Sequence, residues 1–371
     1  MRVDLAHCED LGPVDLRRWR DMVRARHQRV SPFLDPAFAR AVAVVRPATR
    51  VAVTSNDRGE VIGYLAMEKR GRSAAAMLAT GLADVQSFVS APGARLQVTQ
   101  VLSRTGVSLL TFDHLLAGDE AACEHGWRRT RRARSAVVDL AAGYPAYQAE
   151  VRSRSKSLLQ STARKARKLE REHGPVHLEP HVVDHGVLDR LLGWKSSQYR
   201  RTGRRDRFAD PGNRRLVHDL LDQPVADPFG PAMSVLYAGE RVVAAHFGMR
   251  SESTLAWWFP AYDPELSAYS PGLVLVTEIL RALRAEGLTV LDLGKGDEPY
   301  KDRLSNGSIE LLEGAVATTG TRGWRHTART WPGEALTNAV LASPHLRSLA
   351  RRGLASVGET RTRVERSIGR R

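Results

Sequence analysis

The strongest constraint on this chain is that part of its sequence is written twice. "DVQSFVSAPGARLQVTQVLSRTGVSLLTFD" can be laid on "DPELSAYSPGLVLVTEILRALRAEGLTVLD" without a gap. Asp84 then falls on Asp263, Pro92 on Pro271, Gly93 on Gly272, Leu96 on Leu275, Leu109 on Leu288 and Asp113 on Asp292. Six identities in thirty positions are few, but both windows follow the same three-strand pattern. In the first copy two β-branched runs flank the turn "NDRGE" and a third run follows; in the second, "MSVLYAGERVVAAHFGMRSESTLAWW" repeats that design around "AGER". A duplicated strand–helix–strand unit predicts a mixed α/β fold in two copies. The boundaries follow from it: one unit over residues 1–149, a second over 150–320, and a helical, basic tail over 321–371.

Local signals fill in the units. A helix is expected from Asp15 to Arg29, and a capped one follows in "SPFLDPAFARAVAVV". Between the copies Leu158, Thr162, Ala166 and Leu169 recur at helical spacing, with Arg164, Lys165, Lys168 and Arg171 on the other side. Gly174 and Pro175 end that helix. In the second window a helix is expected from Ser270 to Glu286, stopped by Gly287, and then a strand from Leu288 to Leu293.

Composition narrows the function classes. The chain carries a net charge of +15, concentrated in residues 126–135, 152–172 and the tail, which points toward anionic partners. Transfer RNA, an anionic membrane surface and phosphorylated small molecules all satisfy that charge, and so does a solvated surface. Two cysteines without a CxxC spacing argue against a disulfide framework or a cysteine zinc site. The start is charged where a signal peptide is apolar. A cytoplasmic protein without a metal is expected.

Five stretches resemble one family. They are "SKSLLQSTARKARKLEREHG", "WKSSQYRRTGRRDRF", "AGERVVAAHFG", "AYDPELSAYSPG" and "LDLGKGDEPYKDRLSNG". In this order and spacing the chain resembles the GNAT superfamily of acyl-CoA-dependent acyltransferases. Within it, the branch associated with cellulose and exopolysaccharide biosynthesis is the most similar, and that branch is distantly like the Fem-type aminoacyltransferases. The resemblance implies tandem GNAT-like units, acetyl-CoA or another acyl-CoA as co-substrate, and direct attack of an amine on the thioester. It implies that Tyr269, Ser270, Pro271, Gly272 and Leu273 form the loop that holds the coenzyme's pyrophosphate on backbone N–H groups at a helix N-terminus. The loop departs from the family pattern, because it has a single glycine and Pro271 lacks an N–H.

The same resemblance proposes chemistry. Tyr300 matches the acid that protonates the leaving thiolate, and Asp292, at the end of an apolar strand, is a candidate base. Lys301 is a candidate for orienting an anion. His246 is either a fourth catalytic candidate or a packed core histidine. Lys195, Gln198, Tyr199, Arg200, Trp258 and Tyr262 are candidates for the acceptor site, the aromatic pair alternatively being core. An N-acyltransferase acting on an amine of a sugar, metabolite or cell-envelope precursor is the leading expectation. A Fem-like enzyme drawing on aminoacyl-tRNA and a non-catalytic binding module are the alternatives.

Overall fold

The computed structural model describes residues 1–26, 30–94, 96–119, 127–224 and 228–318. The first unit runs β1 (Arg2–Ala6), α1 (Pro13–Arg26), α2 (Pro36–Val45), β2 (Thr49–Ser55), β3 (Val61–Arg70), β4 (Ala74–Met77), β5 (Val89–Ser90), α3 (Val98–Arg104), β6 (Leu109–Leu116) and β7 (Trp127–Asp139). A long helix, α4 (Tyr144–His173), leads into the second unit. That unit runs β8 (Val176–Glu179), α5 (His185–Arg201), α6 (Pro211–Leu221), β9 (Gly230–Ala238), β10 (Arg241–Arg250), β11 (Thr254–Ala256), β12 (Phe259–Tyr262), α7 (Pro271–Ala282), β13 (Val290–Lys295), α8 (Pro299–Leu304) and β14 (Gly307–Ala317).

The elements arise from ordinary local causes. Asp35 caps α2 by accepting the Ala37 N–H, with Pro36 at the first helical position. Asn56 closes the first hairpin by accepting the N–H groups of Arg58 and Glu60. In α4, Leu158, Thr162 and Leu169 are buried, as their spacing predicts, and the helix stops at Gly174. That helix bends at Ser155, which has φ −145° and ψ 60°. The second-unit helix is shorter than expected: α7 ends at Ala282, and turns carry the chain through Gly287 to a strand that begins at Val290. The expected tail helix lies outside the described residues.

The internal repeat is real and longer than its sequence trace. The shift of 179 residues that lays Asp84 on Asp263 also lays β3 on β10, β6 on β13 and β7 on β14, each end agreeing within two residues. In both copies the third strand runs parallel to the strand after the helix: β4 with β6, and β11 with β13.

The fourteen strands among the described residues belong to one sheet, in the order β1-β2-β3-β4-β6-β14-β7-β13-β11-β10-β9-β8, with β5 on β3 and β12 on β10. At its centre the units trade strands. β7 leaves the first unit to pair with β13, matching Val290 with Asp139, while β14 returns to pair with β6, matching Ala317 with Leu109. β7 and β14 then pair antiparallel with each other.

Strand alternation sends side chains to two faces. Val51, Tyr64, Val235 and Phe247 enter a core shared by α1, α2, α5 and α6, where residues of both units mix. Ala52, Leu65 and Met67 enter a separate core under α3. Leu236, Val243 and Ala244 enter a third, under α4 and α7. Cys8 is buried and free, and Cys123 lies outside the described residues. Among the described residues no helix is long and apolar enough to cross a membrane.

Candidate active site

The candidate site forms where the second unit's sheet parts. β11 and β13 are paired as far as Ala256 and Asp292, and the Trp257 N–H donates to the Asp292 carbonyl at 2.7 Å. Beyond that point β12 pairs only with β10, and β13 shifts register against β7 between Asp292 and Lys295. A gap therefore opens between residues 258–262 and 293–296.

Asp292 sits at the root of the gap, 2% exposed. Its Oδ1 accepts the Ser135 hydroxyl at 2.5 Å, from exchanged strand β7, and the Gly294 N–H at 3.0 Å. Burial, with the neighbouring Asp84 carboxylate adding to it, pushes its pKa up to about 6. A carboxyl tuned toward neutrality and held by two donors is suited to taking up and releasing a proton.

Asp84 comes from the first unit. Its carboxylate lies beside Gly294, 3.2 Å from where a β-carbon there would stand. Gly294 also has φ +74°, a backbone that favours glycine, and the Asp84 carboxylate leaves little room for a β-carbon. Burial raises the Asp84 pKa against the pull of His114, Arg207, Lys301 and Lys295.

On the α5 side of the gap Lys195 donates to the Pro260 carbonyl at 3.1 Å and lies 5.5 Å from the centroid of the Tyr199 ring. Burial lowers its pKa to about 8, against Glu298 and with help from Lys301, Arg207 and Arg204. On the α8 side the Trp257 indole donates to the Tyr300 hydroxyl at 3.2 Å, and burial lifts that phenol to about 12. Tyr300 is thus held protonated, the state a proton donor needs.

Other expected residues take different roles. Lys301 is 7% exposed and donates to the Gly294 and Lys295 carbonyls, both at 3.1 Å, with Glu298 at 3.2 Å. It clamps the turn after β13. His246 is fully buried, bonded to the Ala256 carbonyl at 2.9 Å and stacked on Trp257; burial lowers its pKa to about 4. It packs as a neutral ring. Trp258 is core: its indole donates to the Leu82 carbonyl of the first unit, and it packs on Phe33 and Phe259. Arg200 turns to solvent and pairs with Asp206 at 3.1 Å, away from the gap. Gln198 is half-buried on α5 beside Tyr199.

The expected coenzyme loop adopts a strained start. Ser270 has φ +50° and ψ 52°, and Pro271 opens α7. The Leu273 N–H is taken by the Ser270 carbonyl at 2.9 Å. A β-carbon on Gly272 would meet the Tyr262 ring at 3.3 Å. α4 reaches over this opening. Lys165 donates to the Ser270 hydroxyl at 2.6 Å, Lys168 lies 5.3 Å from the Tyr269 ring centroid, and the Tyr269 hydroxyl bonds Glu172. Two ammonium groups therefore crowd the positive end of a helix, an arrangement that an anion would relieve.

Sequence reasoning missed Ser135, Asp84 and Lys165 as parts of the site. Asp84 had a signal, its match to Asp263. Lys165 was visible only as one charge of a basic helix face, and Ser135 had none.

Residues 156–302 match a family model described as an acetyltransferase (GNAT) domain. Among solved structures, FemX is similar with a TM-score of 0.55 at 11% identity, over 88% of this chain and 99% of that one. The C-terminal domain of an Agrobacterium fabrum protein described as a lysylphosphatidylglycerol synthetase gives 0.52 at 13% identity, over 85% and 96%. A conserved protein of unknown function from Bacteroides thetaiotaomicron VPI-5482 gives 0.51 at 12% identity, over 82% and 97%. No curated protein matches the sequence. Identities this low establish a shared fold and nothing finer.

Proposed function

For a chain that carries the GNAT fold in tandem, with residues 156–302 matching a GNAT domain, we propose an N-acyltransferase whose reaction takes place in the gap between β12 and β13. The observation that carries this reading is the placement around the gap of Asp292 at its root, Tyr300 under the Trp257 indole and half-buried Lys195 on the Pro260 carbonyl. The acceptor amine enters from the α5 side past Lys195 and Tyr199. The neutral amine nitrogen attacks the acyl carbonyl, Asp292 takes a proton from that nitrogen, and Tyr300 protonates the leaving group. The acceptor is an amine of a sugar, metabolite or cell-envelope precursor.

Acetyl-CoA is the first-choice donor, its pyrophosphate resting at Gly272 with Lys165 as counter-ion. Aminoacyl-tRNA is the second reading, and one observation favours it. Arg152, Arg164, Arg167 and Arg281 line a groove of about 950 Å³ between α4 and α7, with Glu170 and Glu278 as its acidic residues. Such a groove suits a long polyanion. Thermal shift with acetyl-CoA, with coenzyme A and with bulk tRNA separates the readings, because a ligand that binds only the native state raises the melting point. Stabilisation by acetyl-CoA and not by tRNA supports the first, and the reverse supports the second. No shift with any of them leaves a binding module.

A further inference from the structure

We propose that Asp84, although it belongs to the first unit, works in the second unit's reaction by holding the acceptor's ammonium group and taking its first proton. The inference rests on the acyltransferase reading and adds to it a residue from outside the matched domain.

The repeat shows what Asp84 no longer does. Its counterpart Asp263 caps a turn, accepting the Glu265 N–H at 3.0 Å and pairing with Arg241 at 2.6 Å. Among the described residues Asp84 accepts no hydrogen bond, although it is half-buried. Its oxygens carry no donor and are not closed off from solvent, so they stay open to an incoming cation.

The segment that bears it is held firmly. The Trp258 indole grips the Leu82 carbonyl at 2.9 Å, the Gly81 N–H is held by Asp113 at 2.8 Å, and the Leu82 and Ala83 N–H groups both bond the Ala79 carbonyl at 2.8 Å. These contacts fix Asp84 against Gly294, two residues from Asp292. The groups facing it are Asp292, Gly294 and Lys295 from β13, Lys301 from α8, His114 from β6, Tyr199 from α5 and Arg207 from the segment after α5. Three of the four cations around it are engaged elsewhere, His114 with Asp113 at 3.0 Å, Lys301 with two carbonyls, and Lys295 with Glu313 at 2.6 Å and the Asp113 carbonyl at 3.0 Å; Arg207 makes no hydrogen bond to Asp84. An incoming ammonium completes the set.

The proton balance closes. The ammonium gives one proton to Asp84 and becomes a neutral amine. Its lone pair forms the C–N bond at the acyl carbonyl, and the bond to the donor's sulfur, or ester oxygen, breaks. The leaving atom keeps that electron pair and takes the Tyr300 proton. The second N–H proton passes to Asp292, which restores Tyr300, and Asp84 returns its own to solvent. The net products are amide, free thiol or alcohol, and one proton.

Two measurements on the full chain test the assignment. In the first, melting midpoints of wild type and Asp84→Asn are compared between about pH 5 and about pH 8. Because burial raises the Asp84 pKa, native stability is lost as pH rises through that value. The amide should therefore raise the midpoint by about 3 °C or more at the alkaline end, and by less at the acid end. A midpoint lowered at every pH would make Asp84 an ion-pair partner of Arg207 and the lysines, and would overturn the proposal. In the second, acetyl transfer from acetyl-CoA to methylamine, which is protonated above neutral pH, is compared with transfer to hydroxylamine, which is not. Asp84→Asn should lose on the order of tenfold more with methylamine; equal losses overturn the role. Wild type that transfers to neither amine overturns the acyl-CoA reading instead, and the midpoints then decide Asp84.

Discussion

The two units share element order and spacing, yet the same aspartate sits in opposite surroundings. Asp113 feels burial that raises its pKa, but His114 3.0 Å away, the Gly81 N–H and Lys295 outweigh it and hold the carboxyl down. Asp292 has Ser135, Gly294 and a second carboxylate around it, and burial wins. The helices differ too. Pro92 and Gly93 form a turn, with Gly93 at φ +74°, and α3 starts five residues later; Pro271 and Gly272 begin α7 itself. The first copy's carboxylate is held by cations and an N–H group, and the second's faces another carboxylate. The first copy still serves the second, because Asp113 pins the loop that carries Asp84.

Exchanging the two aspartates' roles gives the largest expected effect. Asp292→Asn should lower kcat/KM by about 10²- to 10³-fold, the range for a lost proton acceptor. Asp113→Asn should cost about 1–3 kcal/mol in urea unfolding and less than about tenfold in turnover. Comparable losses of turnover would break the contrast.

The helix starts come next. Gly272→Asp places a carboxylate where the donor's phosphates are proposed to rest and should weaken acetyl-CoA binding by about tenfold or more in calorimetric titration. Gly93→Asp is a control with its own cost: its left-handed backbone tolerates Asp at about 1 kcal/mol, with binding unchanged. Unimpaired binding by Gly272→Asp would make the second Pro-Gly a helix start and nothing more.

The pH response should differ in sign. With a folded pKa of about 6 against 3.8 for an ordinary carboxyl, Asp292 contributes stability that is full at acid pH and is lost as pH rises through about 6. Asp113, held low, contributes stability above the ordinary carboxylate range that is lost as pH falls. Urea unfolding at about pH 4 and about pH 7.5 should therefore show Asp292→Asn gaining up to about 2–3 kcal/mol more at the higher pH. A gain of the same size at both would mean that Asp292 does not titrate between them.

The smallest effects lie outside the repeat. Lys165→Ala should weaken donor binding by a few fold, about 1 kcal/mol, and more at low salt than at high salt. Deleting residues 359–371 should leave turnover nearly unchanged; a loss of orders of magnitude with the fold intact would assign the tail a part in the chemistry.

Much of this molecule was legible in its sequence, and for one reason. Periodicity, caps and turn residues act over a few neighbours. So the hairpins at "NDRGE" and "AGER", the end of α4 at Gly174, the buried Trp257–Phe259 run and the duplicated unit were all written locally. Asp292 and Tyr300 were found as candidates because strand ends and the helix beyond them are recognisable positions. His246 was left between core and catalysis, since its flanking apolar residues do not say whether a carbonyl awaits its ring. Arg200 was left between the acceptor site and a solvated face, because helical spacing does not distinguish a gap from open water; it pairs with Asp206 on the surface.

What only the tertiary structure decided depends on partners far apart in the chain. Every strand edge offers the same ladder of N–H and C=O groups, so nothing local told β7 to pair with β13 and β14 with β6. That exchange brings Ser135 to Asp292 across 157 residues. Packing of one unit on the other brings Asp84 to the same place, and burial there sets which carboxyl holds a proton. Charge was read from the chain, but the value of each charge belongs to the surroundings that folding assembles around it.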